Sequence, residues 1–162
     1  MVTQQAKTTG ATTSMPTTDG YILLAKIKPG QANALRAAIA EAAKIMMDPK
    51  GALAQLAKVH FARMATLGDD YLLFTSWFDG DMEAYLDDFF SFTSGGGGFD
   101  VVLRYCEGWP GTNDREGFMN FWKSHKVKDL AQYSYYPGVT CKEIEKALRI
   151  GHNMEAVLQD FQ

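Results

Sequence analysis

Apolar positions along this chain follow first one period and then another, and each change marks an element. Tyr21–Lys28 opens as a continuous apolar run, becomes alternating, and stops at Pro29-Gly30, which predicts a strand. From Gln31 to about Met47, the residues Leu35, Ile39, Ala42 and Met46 recur at spacings of four, three and four. That stripe predicts a helix, ended by Asp48-Pro49 and Gly51. Val59–Thr66 and Tyr71–Phe78 read as two strands, and the short Leu67-Gly68-Asp69-Asp70 connection makes them an antiparallel hairpin. Asp79-Gly80-Asp81 supplies a turn and an N-cap for a helix carrying Met82, Tyr85, Leu86 and Phe89, ending near Phe92.

The second half is less regular. Phe99–Cys106 is read as a short helix before the turn Gly108-Trp109-Pro110-Gly111, and Asp114 to about His125 as a longer one. Phe118, Phe121, Trp122 and His125 share a face of the latter. Ala131–Tyr136 is expected to form a fourth strand, stopped by Pro137-Gly138. Thr140 with Glu143 three positions later is a capping box for a last helix. Gly151 is its expected C-cap, with Asn153 capping a final turn or two that carries Met154, Leu158 and Phe161. The order β-α-β-β-α, extra helices, β-α predicts an α+β, ferredoxin-like βαββαβ domain. A sheet covered by helices on one side needs cover on its other face, so two subunits are expected to pair through it.

Composition sets the boundaries of this domain. Residues 1–18 hold seven threonines, no aromatic residue and no periodic apolar pattern, and are read as a flexible tail before a domain over 19–162. Sixteen basic against nineteen acidic side chains leave a net charge of −3, which argues against a nucleic-acid partner. No apolar run approaches the roughly 20 residues of a membrane span, and no secretory leader is visible, so a cytoplasmic location is expected. The run Gly95-Gly96-Gly97-Gly98 lacks the frame of a phosphate loop and reads as a joint. Cys106 and Cys141 stand in no metal-ligand spacing and are expected to be reduced.

One set of residues goes beyond periodicity. His60-Phe61-Ala62-Arg63, Leu73-Phe74, Phe78-Asp79-Gly80 and Tyr85-Leu86-Asp87-Asp88-Phe89 resemble a little-characterised bacterial group of the dimeric α/β-barrel superfamily. Gly108-Trp109-Pro110-Gly111 and Ser134-Tyr135-Tyr136-Pro137 extend the resemblance over about residues 20–150. It implies a homodimer in which two ferredoxin-like sheets form a barrel, often with a ligand cavity between sheet and helices. The superfamily includes haem-dependent peroxidases, cofactor-free quinone-forming monooxygenases and small isomerases. Haem is therefore among the cofactors the resemblance allows, and no reaction or catalytic residue transfers from it.

The candidate chemistry rests on polar residues set in apolar elements. His60 and Arg63 lie in a strand whose alternation puts them on opposite faces unless a bulge intervenes. One is expected to face a cavity and the other to pair with a carboxylate, Asp87 or Asp88 being candidates. His125, at the end of an aromatic stripe, has the setting of a general base or haem ligand. Trp122, Tyr133, Tyr135 and Trp77 are the expected walls of a site for a small apolar or aromatic ligand. His125, His60 and Arg63 are its candidate catalytic groups. The three histidines form no HxH, HxxxH or HExxH motif, so no metal centre is expected. A small oxidoreductase-like or ligand-binding protein is the leading functional reading. The alternative is a non-catalytic interaction module using its sheet face and terminal segments.

Overall fold

The computed structural model describes residues 18–93 and 98–159. The expected tail up to Thr17, Gly95-Gly96-Gly97 of the glycine run, and Phe161 lie outside the described residues. Strand β1 (Thr18–Lys26) is followed by helices α1 (Ala32–Met46) and α2 (Ala52–Leu56), then by strands β2 (Val59–Leu67) and β3 (Tyr71–Asp79). Helices α3 (Met82–Thr93), α4 (Asp100–Leu103), α5 (Arg115–Ser124) and α6 (Cys141–Gln159) complete the chain. The described residues form an α+β structure with one antiparallel sheet, in the order β1-β3-β2, and six helices. None of these helices is long and apolar enough to cross a membrane.

Alternation decides which face of the sheet is covered. Tyr21, Leu23 and Ala25 on β1 and Leu72, Phe74, Ser76 and Phe78 on β3 are buried. Against them pack Leu35 of α1, Tyr85, Leu86 and Phe89 of α3, Val102 and Leu103 of α4, and Phe118, Phe121 and Trp122 of α5. Aromatic rings dominate the centre, where Trp122 lies 5.5 Å from Phe74, 4.9 Å from Phe99 and 5.6 Å from Tyr21. Two buried hydroxyls are satisfied within it: Tyr21 donates to the Trp122 carbonyl at 2.6 Å, and Ser76 and Tyr85 share a 2.5 Å bond. The other face carries Ile22, Leu24, Leu73, Thr75 and Trp77, all half-buried, with Phe61 75% exposed and Arg63 exposed. This second face is largely apolar and half-buried, with Gln132 lying over Gly20 at one end of it.

The hairpin turns at Gly68, whose φ of +60° is a left-handed conformation that favours glycine. Arg36 of α1 clamps it, donating to the Gly68 carbonyl at 2.7 Å and pairing with Asp69 at 2.5 Å.

The expected fourth strand is not formed: residues 131–136 are irregular. Its place beside β1 is already taken by two single bridges, Ile27 with Cys106 and Leu23 with Lys126. Glu107 donates to the Lys26 carbonyl and Val127 to the Ile22 carbonyl, both at 2.8 Å, while Leu24 and Lys28 donate to the His125 and Tyr105 carbonyls. With these edge groups bonded, Ala131–Tyr136 has no free ladder to join there.

A second correction concerns the last helix. Thr140 and Glu143 do form the capping box, with Thr140 N–H donating to Glu143 at 2.9 Å and Glu143 N–H to Thr140 Oγ1 at 3.3 Å. Gly151, however, does not end the element. α6 runs through it for 19 residues, because an interior glycine costs only about 1 kcal/mol relative to alanine. Leu148, Met154 and Leu158 on this helix are exposed.

Candidate functional site

A bulge in β2 shapes the most chemically distinctive part of the molecule. Val59 pairs with Phe78 and Phe61 with Trp77, so His60 is an extra residue opposite a regular strand. Bulges re-aim side chains. Here His60 Nε2 lies 2.6 Å from Oδ1 of Asp79, the last residue of β3, with the two side chains only 12% and 11% exposed. An ionised carboxylate can only accept, so Nε2 carries the proton of this bond and Nδ1 remains for a further contact.

The second carboxylate oxygen of Asp79 reaches across to α6. Oδ2 accepts a 2.8 Å hydrogen bond from the backbone N–H of Cys141, the first residue of that helix. A carboxylate there complements the positive end of the helix dipole, so Asp79 joins the end of the hairpin to the start of α6. The half-buried Cys141 thiol lies against the same carboxylate. Burial, followed by the negative charge of Asp79 and a hydrogen bond to it, pushes the thiol up to about 12. One donor atom each from His60, Asp79 and Cys141 lie within 4.8 Å of one another.

On the helix side of β2 a groove of about 460 Å³ opens between Ile39, Ala43 and Met46 of α1, Leu53 of α2, and Val59, His60, Ala62 and Met64. Its lining is mostly apolar, and His60 belongs both to this lining and to the Asp79 pair. An apolar groove with a few polar groups is the usual form of a small-molecule site.

The remaining residues singled out by sequence lie elsewhere. Arg63 is exposed beside Phe61's face of the strand and makes no ion pair among the described residues. Of the two strand residues it is His60 that pairs with a carboxylate, Asp79, while the candidate carboxylates are engaged by others, Asp87 by Arg115 at 2.6 Å and Asp88 by Lys58 at 2.6 Å. His125 caps the C-terminus of α5, stacks on Phe121 at 4.1 Å, and its Nδ1 donates to the Phe121 carbonyl at 2.9 Å. Its own carbonyl accepts from Leu24, which ties the helix end to β1. Trp122 is a core residue, 1% exposed, rather than a cavity wall. Tyr133 and Tyr135 are 78% and 74% exposed because the strand that would have aimed them inward is absent. Trp77 is half-buried on the second sheet face. Only His60 of this set lines the groove.

Two members of the cluster, Asp79 and Cys141, were not singled out as site residues. In sequence Asp79 reads as a turn residue, yet the capping role belongs to Asp81, which accepts from Glu83 and Ala84 at 2.9 and 3.0 Å. Those backbone donors hold the exposed Asp81 carboxyl below its ordinary range. Comparisons of this chain with protein families, curated proteins and solved structures find no match.

Proposed function

We propose that this protein binds a small apolar or aromatic molecule carrying one polar group in the groove between α1, α2 and β2. The observation that carries this reading is His60, which lines an apolar groove while Asp79 holds its ring at 2.6 Å. Asp79 orients the imidazole by accepting from Nε2, which leaves Nδ1 as the nitrogen able to accept a proton from a phenolic or enolic ligand. That is chemistry of an oxidoreductase-like or isomerase-like site needing no cofactor. The strand order β1-β3-β2, common to the first three strands of a ferredoxin-like sheet, supports membership of the dimeric α/β-barrel superfamily. The half-exposed face carrying Phe61 and Trp77 supports pairing of two copies through the sheet.

N-phenyl-1-naphthylamine, an uncharged apolar fluorophore, provides the test. It is expected to bind saturably, and Ala43→Phe, which fills the groove from α1, to weaken binding about tenfold or more, a loss of about 1.4 kcal/mol. For 1-naphthol, His60→Ala should cost a further two- to tenfold, the range of roughly 0.5–1.5 kcal/mol for one hydrogen bond. Equal affinities in wild type and Ala43→Phe would remove the groove from consideration. In sedimentation velocity the wild-type protein is expected as a dimer at micromolar concentration, and a stable monomer would overturn the pairing. The exposed Leu148, Met154 and Leu158 favour a second reading, an interaction module docking through α6, which predicts no saturable probe binding.

A further inference from the structure

We infer that His60, Asp79 and Cys141 form a binding site for a divalent transition-metal ion, with zinc the natural occupant. The three residues are far apart in the chain and reach one point only because the hairpin end and the start of α6 meet there. Their donor atoms, one nitrogen, one oxygen and one sulfur, lie within 4.8 Å of one another. A tetrahedral ion with bonds of about 2.0–2.3 Å requires donors separated by roughly 3–4 Å, so small side-chain adjustments suffice. The set is mixed and includes sulfur, which selects zinc and its transition-metal neighbours over magnesium and calcium, whose ligands are oxygens.

The supports of each ligand strengthen the case. His60 is set by a strand bulge, Asp79 by the end of the central strand, and Cys141 by the first turn of a capped helix. Ligands on regular elements are held closer to a working geometry than ligands on loops. The Cys141 N–H bond to Asp79 Oδ2 fixes the carboxylate plane, an outer contact of the kind that orients metal ligands. On binding, Cys141 coordinates as thiolate with its proton passing to solvent, and the His60 proton moves by way of solvent from Nε2 to Nδ1, so the 2.6 Å His60–Asp79 hydrogen bond is replaced by two bonds to the ion. Three protein ligands leave a fourth position, the arrangement of reactive rather than purely structural zinc sites. The inference itself rests on the three donors and holds whatever the groove accepts.

Cobalt(II) is the probe, added to the reduced full-length protein and followed by absorbance. One equivalent is expected to produce visible bands of tetrahedral intensity and a near-ultraviolet thiolate-to-cobalt charge-transfer band, both bleached by zinc. Cys141→Ser should abolish the charge-transfer band and weaken zinc by at least the roughly 10–100-fold that loss of an outer partner alone costs. Cys106→Ser, which alters the other thiol, should leave the band unchanged. Cobalt bound without a charge-transfer band, or a band that survives Cys141→Ser, would overturn the site. The wild-type spectrum decides even if a substituted protein fails to fold. Because no fluorophore enters this experiment, its outcome is separate from that of the groove.

Discussion

Trp122→Ala should lower the unfolding free energy by about 3–5 kcal/mol, the range for truncating a large buried aromatic. The indole is 1% exposed and contacts Tyr21, Phe74, Phe99 and Phe118, with ring centroids between 4.9 and 5.9 Å. Its removal opens a cavity where β1, β3, α5 and Phe99 before α4 converge, and the loss is a large share of a typical 5–15 kcal/mol total. The expected readout is a lower urea midpoint with an unchanged slope. Trp122→Phe should cost much less. The indole Nε1 is buried without a hydrogen-bond partner among the described residues, and a buried unmet donor is itself unfavourable by roughly 1–3 kcal/mol. If Trp122→Ala left the midpoint unchanged, the core described above would be misplaced.

Alkaline pH should produce the second large effect. Burial pushes the Cys106 thiol from its ordinary 9.0 up to about 11, and burial also raises the Tyr21 and Tyr85 hydroxyls well above their ordinary 10.0. For Tyr85 the Ser76 bond opposes this, but burial dominates. Once pH exceeds the unfolded values, the unfolded chain has released protons that the folded chain still holds. Stability therefore falls as pH rises, by about 1.4 kcal/mol per pH unit for each such proton. The contribution of Cys106 is intact below pH 9 and is lost progressively toward pH 11, while those of the two tyrosines decline from pH 10 upward. Thermal midpoints measured from pH 8 to 11 should be nearly level at first and then drop increasingly steeply. Tyr21→Phe should flatten the descent above pH 10 by removing one titrating group, while losing the bond to the Trp122 carbonyl at every pH. A midpoint that stays level to pH 11 would show that these groups titrate alike in both states.

The parts of the fold legible in sequence are those whose causes are local. Alternation over Tyr71–Phe78 marks a strand because a half-covered sheet needs period two, and that strand stands at Tyr71–Asp79. Leu35, Ile39 and Ala42 mark α1 by its turn length, and Asp114 caps α5, accepting from Gly117 at 3.0 Å. The Thr140–Glu143 box begins the last helix for the same reason: both partners lie within one turn. Of the site, only His60 could be picked out from sequence, as a polar residue inside an apolar strand.

Everything that depends on competition between distant segments was beyond that reading. Tyr133, Tyr135 and Tyr136 suit a strand, but residues near Cys106 and Lys126 hold the β1 edge, and no local pattern records which segment wins. The stripe of Phe118, Phe121 and Trp122 has the same spacing whether it packs as core or lines a cavity. Only the position of α5 against β1 and β3 makes it core. One extra residue in β2 turns His60 toward Asp79, and the capped start of α6 then brings Cys141 to the same carboxylate. Periodicity thus determines which face of an element is apolar. What that face meets is decided by long-range pairing, and that pairing assembled the groove and the His60–Asp79–Cys141 cluster.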